Sequence, residues 1–291
     1  MLVSALCFGT LAILAKLGYR AGLDAQQIVT FRFLVGAAGM LVAAAVARQN
    51  PFRLPRRTFL GIVLMGAVGY VTQSWTFILA LQALPASLVE LLAYTYPAIV
   101  VLAGRLLFGR RLPAVQLVAL AGSFAGVVLL VGAVRLAGGP ALFFALFNPV
   151  VYAAYLLTGE RVMKDVPPVG AAALTITSTA VTLLLVTGAG GRLRLPVGAA
   201  QWSVLLALGV ISTMVAITAL LAALPRIGAA RASLLSTVEP VWTVALAVAL
   251  LGDRLSLPQV VGALLVLASV VFLQWSGSRA AREPQALAGR S

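Results

Sequence analysis

Along the chain, apolar runs of about twenty residues alternate with short gaps rich in charged and turn-forming residues. A run of that length, wound as an α-helix, matches the hydrocarbon thickness of a bilayer. Reading the runs between charges and helix breakers predicts spans near 2–18, 27–47, 58–81, 87–107, 114–134, 140–158, 169–188, 202–222, 232–251 and 258–275. The gaps carry Pro51, Pro55, Pro85, Pro113, Pro167, Pro168 and Pro196, and the sequence Gly138, Gly139, Pro140, all residues that end helices and turn chains. The pattern predicts an all-α integral membrane protein with ten transmembrane helices. The first run, from Leu2, lacks the basic leader and small-residue cleavage site of a signal peptide and reads as the first span.

Composition narrows the function. With 62% of the 291 residues apolar and 10% charged, the chain cannot assemble a water-soluble surface, for which about a quarter charged residues is usual. The net charge of +14 raises the question of nucleic acid. The basic residues lie in gaps between apolar runs, as topology signals do, so no nucleic-acid partner is expected. The absence of histidine excludes a histidine base, proton relay or metal ligand, and the single Cys7 excludes an internal disulfide and a cysteine metal cluster. No GxxxxGK[ST] loop is present, so neither ATP coupling nor a cofactor is expected.

The same charges set direction, because cytoplasmic loops keep the excess of Lys and Arg. With the N-terminus inside, the inner segments hold fourteen of the 21: Arg48, Arg53, Arg56, Arg57, Arg105, Arg110, Arg111, Arg161, Lys164, Arg226, Arg231, Arg279, Arg282 and Arg290. The outer segments hold six, Lys16, Arg20, Arg135, Arg192, Arg194 and Arg254, and Arg32 lies within a span. Both termini are therefore expected on the cytoplasmic side.

Sliding the chain against itself by 143 residues pairs Leu91 with Leu234, Leu92 with Leu235, Pro97 with Pro240 and Val101 with Val244. The match runs on through Leu107 and Leu250, Gly109 and Gly252, Arg111 and Arg254, Leu112 and Leu255, and Gln116 and Gln259, so that FGRRL answers LGDRL. Five spans per copy is an odd number, so the second copy must enter the bilayer from the opposite side. Replacement of Arg110 by Asp253 agrees, since it leaves the second loop neutral on the predicted outer side. The expected organisation is two inverted five-helix repeats, 1–135 and 136–275, followed by a polar, disordered cytoplasmic tail over 276–291.

The segments FGTLAILAKL at 8–17, FRFLVGA at 31–37 and, most specifically, VEPVWTVALAVALLGDRL at 238–255 resemble the drug/metabolite transporter superfamily, in particular its EamA-type ten-helix members. This resemblance covers nearly the whole chain. It implies a secondary transporter in the bacterial inner membrane, often an exporter of amino acids and other metabolites, with a central cavity between the halves.

Charged groups in hydrocarbon cost about 2.5 to 3.5 kcal/mol at a helix centre and normally face a partner or a wet cavity. Three lie clearly within spans: Arg32, Glu90 and Glu239. Arg32 and Glu90 fall within roughly 4 to 8 Å of the outer surface at 1.5 Å per residue, which suggests an ion pair gating that side; separate snorkelling to headgroups is the alternative. Glu239 falls near the midplane, before Pro240, where a disturbed helical turn leaves carbonyl groups available. Its carboxyl could exchange a proton, bind a cationic group, or simply brace a helix. Tyr70, Gln73, Tyr94, Tyr96, Asn148, Tyr152, Tyr155 and Trp242 are candidate cavity-lining groups, because aromatic faces with amides suit amphipathic metabolites and hold ammonium groups; packing or interfacial roles compete. Gly122 and Gly126 form a GxxxG step that permits close helix approach, either within the chain or in a homodimer. A membrane-embedded enzyme acting on a lipid would need more acids, bases or metal ligands near the interface, a pore would need a polar stripe along a span, and a carrier of lipid substrates is a further alternative.

Overall fold

A computed structural model describes residues 1–108, 114–132, 139–162, 166–191, 193–219 and 235–280. Among them every regular element is helical: α1 Leu2–Arg20, α2 Ala25–Val46, α3 Arg56–Ala83, α4 Ala86–Ala93, α5 Tyr96–Phe108, α6 Ala114–Gly132, α7 Gly139–Val162, α8 Pro168–Ala189, α9 Gly198–Ala219, α10 Val238–Leu251 and α11 Leu257–Ala280. Each predicted run falls on a helix. Six helical stretches, α1, α2, α3, Gly139–Gly159 of α7, α8 and α9, are long and apolar enough to cross a membrane, and four shorter apolar stretches lie at 86–100, 116–131, 238–251 and 257–273. The loop residues Gly109, Arg110, Arg111 and Leu112, the basic residues Arg135, Lys164, Arg192, Arg226 and Arg231, the start of the ninth run through Leu234, and the tail beyond Ala280 lie outside the described residues.

The fourth run, read as one helix, is broken. Tyr94 and Thr95 form a turn, and Thr95 Oγ1 donates to the Leu92 carbonyl at 2.7 Å. Pro97 lacks the N–H that would tie α5 back onto α4, and sits in the first turn of the new helix, where that N–H is not needed. The same interruption recurs at Thr237, three residues before Pro240. Two other helices are widened by a π-helical turn, α3 over Met65–Tyr70 and α9 over Val210–Val215.

The side chains are distributed as lipid demands. Large apolar groups stand exposed on the outer surface, among them Val42, Val128, Phe143, Leu185 and Leu264, while Arg32, Glu90, Asn148, Ser212 and Thr213 are buried. In water such a surface would aggregate; in a bilayer it carries no penalty, and the interior becomes the place for polar groups.

The helices pack α6 on α11, α2 on α8, α3 on α7, α9 on α1, α5 on α7, α10 on α1, α2 on α9 and α8 on α3. Exchanging each helix for the one about 143 residues away reproduces this set of pairs. The agreement reaches single residues. A Cβ on Gly66 would strike the Thr175 carbonyl oxygen, and one on Gly209 would stand 3.2 Å from the Arg32 carbonyl oxygen; both glycines and both partners are 143 apart. The GxxxG glycines pack within the chain: Gly126 meets the Gly262 backbone and Gly122 meets Ser269, on α11.

Candidate functional site

Arg32 is 3% exposed and belongs to the face of α2 that packs on α8 and α9. Its Nε donates to Thr213 Oγ1 at 2.9 Å, and Thr213 passes its own proton to the Leu208 carbonyl at 3.1 Å. The guanidinium carbon lies 4.9 Å from the centre of the Phe33 ring, a cation–π contact. Tyr70 is within electrostatic reach on the other side. The buried charge is thus held by the Thr213 hydroxyl and the Phe33 ring. Among the described residues no ion pair joins Arg32 to Glu90: α2 turns Arg32 toward α9, whereas α4 packs on α7 and α10.

From Phe33 a continuous line of rings runs across the interior. Phe33 meets Tyr70 edge-on at 5.4 Å, Tyr70 stacks on Tyr155 at 5.4 Å, and Tyr155 on Tyr152 at 6.3 Å. Tyr152 meets Tyr96 edge-on at 4.7 Å, and Tyr96 meets Tyr94 at 5.7 Å. Five of the six ring-bearing residues were among the sequence candidates; Phe33 was not, although it follows Arg32 in FRF. Thr213 was also missed, and its signal was the 143-residue offset from Tyr70.

The far end of the line is acidic. Glu90, 5% exposed, and Glu239, half-buried, lie within electrostatic reach of one another and of Tyr94 and Tyr96. Among the described residues neither carboxyl receives a protein hydrogen bond, and the hydroxyl of Tyr94, a residue 3% exposed, also has no partner. Buried polar groups in native proteins are nearly always paired, so the unpartnered Tyr94 hydroxyl beside two carboxyl groups marks this end of the line as the candidate site. Tyr70 lies within electrostatic reach of both Arg32 and Glu239.

Not every candidate joins it. Asn148 is 2% exposed and uses its amide nitrogen to bridge α7 to α3, donating to the Gln73 carbonyl at 2.6 Å and to Thr76 Oγ1 at 2.9 Å. Gln73 accepts from the Ser74 hydroxyl at 3.1 Å beside it. Trp242 is 37% exposed and lies along Gly9 of α1, outside the line of rings.

The family model described as the EamA-like transporter family matches residues 1–132 and 139–275. An uncharacterized inner membrane transporter of Salmonella typhimurium, YicL, is 26% identical over 97% of this chain and 96% of its own. An uncharacterized transporter of Bacillus subtilis, YcbK, is 27% identical over 41% of this chain, a match spanning 40% of that protein's length. A solved crystal structure shares the fold with a TM-score of 0.66 at 21% identity, covering 93% of this chain and 94% of that one. The helical fold with its apolar exterior, the polar site inside it and the match across both segments agree: this chain is a multi-pass membrane protein and belongs to the EamA-like transporter family.

Proposed function

We propose that the chain is a secondary carrier in the cell (inner) membrane that exports small metabolites such as amino acids. In this reading it crosses the bilayer ten times as two five-helix halves of opposite orientation, 1–135 and 136–275, with both termini cytoplasmic. The halves rock against one another to expose a central site alternately to each side. The residue-level correspondence of Gly66 and Thr175 with Gly209 and Arg32 supports the repeat, as does the family match, which divides between residues 132 and 139.

The observation that carries the proposal is the composition of the buried site. Arg32, Phe33, Tyr70, Glu90, Tyr94 and Tyr96 come from the first half, and Tyr152, Tyr155, Thr213 and Glu239 from the second, so motion between the halves would open or close the site. Two carboxyl groups in hydrocarbon cannot both stay ionised without a cation beside them. Glu90 and Glu239 would therefore hold either a proton or a cationic nitrogen, with the Tyr96 and Tyr152 faces around it. Exchange of one for the other would couple transport to the proton gradient. Arg32 would orient a carboxylate at the opposite end. No enzymatic reaction is assigned to the chain.

The test is uptake into proteoliposomes of a radiolabelled panel of neutral, aromatic and cationic amino acids, nucleobases and quaternary amines, under imposed pH gradients. Saturable uptake that reverses with the gradient, and that loses its pH response in Glu239→Gln and Glu90→Gln, is the expected result. Unchanged pH response in both variants would remove the carboxyl pair from coupling, and a folded protein that moves none of the panel would remove the small-metabolite reading.

A further inference from the structure

A pocket that shares no residue with the line of rings opens where α1 ends. It has a volume of about 320 Å³ and is lined by Lys16, Tyr19 and Arg20 of α1, by Leu81 and Gln82 of α3, and by Leu251 and Asp253 at and after the end of α10. Lys16 and Arg20 are four residues apart, so they lie on one face of the helix, where two like charges oppose each other. The sequence thus concentrates positive charge toward a single concavity.

The protein neutralises that charge only in part. Lys16 is half-buried, and among the described residues its ammonium makes neither a hydrogen bond nor an ion pair. Asp253 acts on it electrostatically, but Asp253 Oδ2 already accepts from the Ser87 N–H at 3.1 Å and from the Ser87 hydroxyl at 2.8 Å, holding the first turn of α4. Arg20 gives one guanidinium N–H to the Leu251 carbonyl at 3.1 Å, which leaves its other donors open. Two cations therefore share one carboxylate, and the pocket keeps an excess positive charge beside the low-dielectric walls of Tyr19 and Leu81.

The geometry points to an anion site: the pocket takes a single carboxylate or phosphate group, bound by Lys16 and Arg20, with Asp253 fixing the α4 side of the wall. The group could belong to a small metabolite arriving from water or to a lipid headgroup, since the chemistry required is the same. Lys16, Arg20 and Gln82 belong to the first half of the chain and Leu251 and Asp253 to the second, so a bound anion would tie the two at this end. The site stands whether or not the carrier reading above is right.

The test uses the full chain, purified and delipidated in a neutral detergent. Thermal unfolding is followed while inorganic phosphate or acetate is added at constant ionic strength, and retention of phosphatidylglycerol is read by native mass spectrometry. The expected result is saturable binding in at least one arm, weakened about tenfold or more in Lys16→Gln and in Arg20→Gln, which corresponds to about 1.4 kcal/mol. Lys16→Arg, which keeps the charge, and Glu239→Gln, in the other site, should bind as wild type. Arg20 is exposed, so its variant keeps the test open even if Lys16→Gln fails to fold. Response to the soluble anions alone identifies a metabolite acid group, and retention of phosphatidylglycerol alone identifies a lipid. Absence of saturable binding in both arms, or wild-type binding in Arg20→Gln, overturns the anion site.

Discussion

Thr213, 143 residues beyond Tyr70 in the chain, holds the guanidinium of Arg32. Thr213 accepts its Nε–H at 2.9 Å, and Tyr70 lies within electrostatic reach while its ring meets Phe33 edge-on. Each belongs to a π-helical turn, Met65–Tyr70 or Val210–Val215, whose extra residue per turn re-aims side chains toward the interior. Thr213→Val should leave a buried charged donor unpaired and cost about 1.5 to 3 kcal/mol, whereas Thr213→Ser should keep most of the stability. Thermal unfolding in detergent compares the two; equal stability of the Val variant and wild type would mean that Thr213 does not carry the charge.

The close approach at Gly66 gives a separate test. A methyl group there would overlap the Thr175 carbonyl oxygen and Ser178 Oγ, which belong to the facing helix α8. Gly66→Ala is expected to destabilise by about 1 to 3 kcal/mol through overpacking. Gly188→Ala, where nothing lies within 4 Å of the added atom, should be neutral or gain up to about 1 kcal/mol from helix propensity. The opposite order in a pair of thermal melts would contradict the packing of α3 on α8.

Helix α8 begins with Pro167 as its N-cap, which offers no side-chain acceptor, and is capped instead from a distance. Gln49 Oε1 accepts from both the Val169 and Gly170 N–H groups at 3.1 Å. Gln49→Ala should cost about 1 kcal/mol, the usual worth of a lost cap, while Gln49→Glu keeps the oxygens and adds favourable charge at a helix N-terminus. Melting temperatures of the two variants should therefore fall on opposite sides of a clear gap, with Glu above Ala.

Tyr152 occupies the middle of the line of rings, 4.7 Å from Tyr96 and 6.3 Å from Tyr155. If the proposed site holds a cationic nitrogen against these faces, Tyr152→Ala should raise KM between about twofold and thirtyfold, from about 0.5 to 2 kcal/mol of cation–π attraction, and Tyr152→Phe should stay close to wild type. Concentration dependence of uptake reads the difference. Similar KM values for wild type and the Ala variant would take Tyr152 out of the binding site.

Much of this was legible in the chain. Among the described residues each apolar run falls on helix, the break at Tyr94 being the part that run length does not foresee, and the offset that pairs Pro97 with Pro240 also pairs that break with the one at Thr237. Five tyrosines singled out for their type and depth do meet in the interior. Asn148 was singled out on the same grounds, yet its amide braces α7 against α3. A polar residue in an apolar run must find a partner, but the run does not say whether that partner is a helix or a ligand.

The sequence by itself determined where the long apolar helices lie and which polar residues fall within them. Those properties belong to single helices in contact with lipid, and transfer free energy reads them directly from residue type. Depth is one coordinate only. Arg32 and Glu90 were expected at one depth and expected to pair, but the rotation of α2 about its axis turns Arg32 to Thr213, and that of α4 sets it against α7 and α10. Those rotations are set by close contacts between neighbouring helices, such as Gly36 against Thr213 and Gly209 against Val35, and lipid does not reward one rotation over another. The tertiary structure alone therefore decided which polar groups meet, and with them the ring line, the carboxyl pair and the pocket at Lys16.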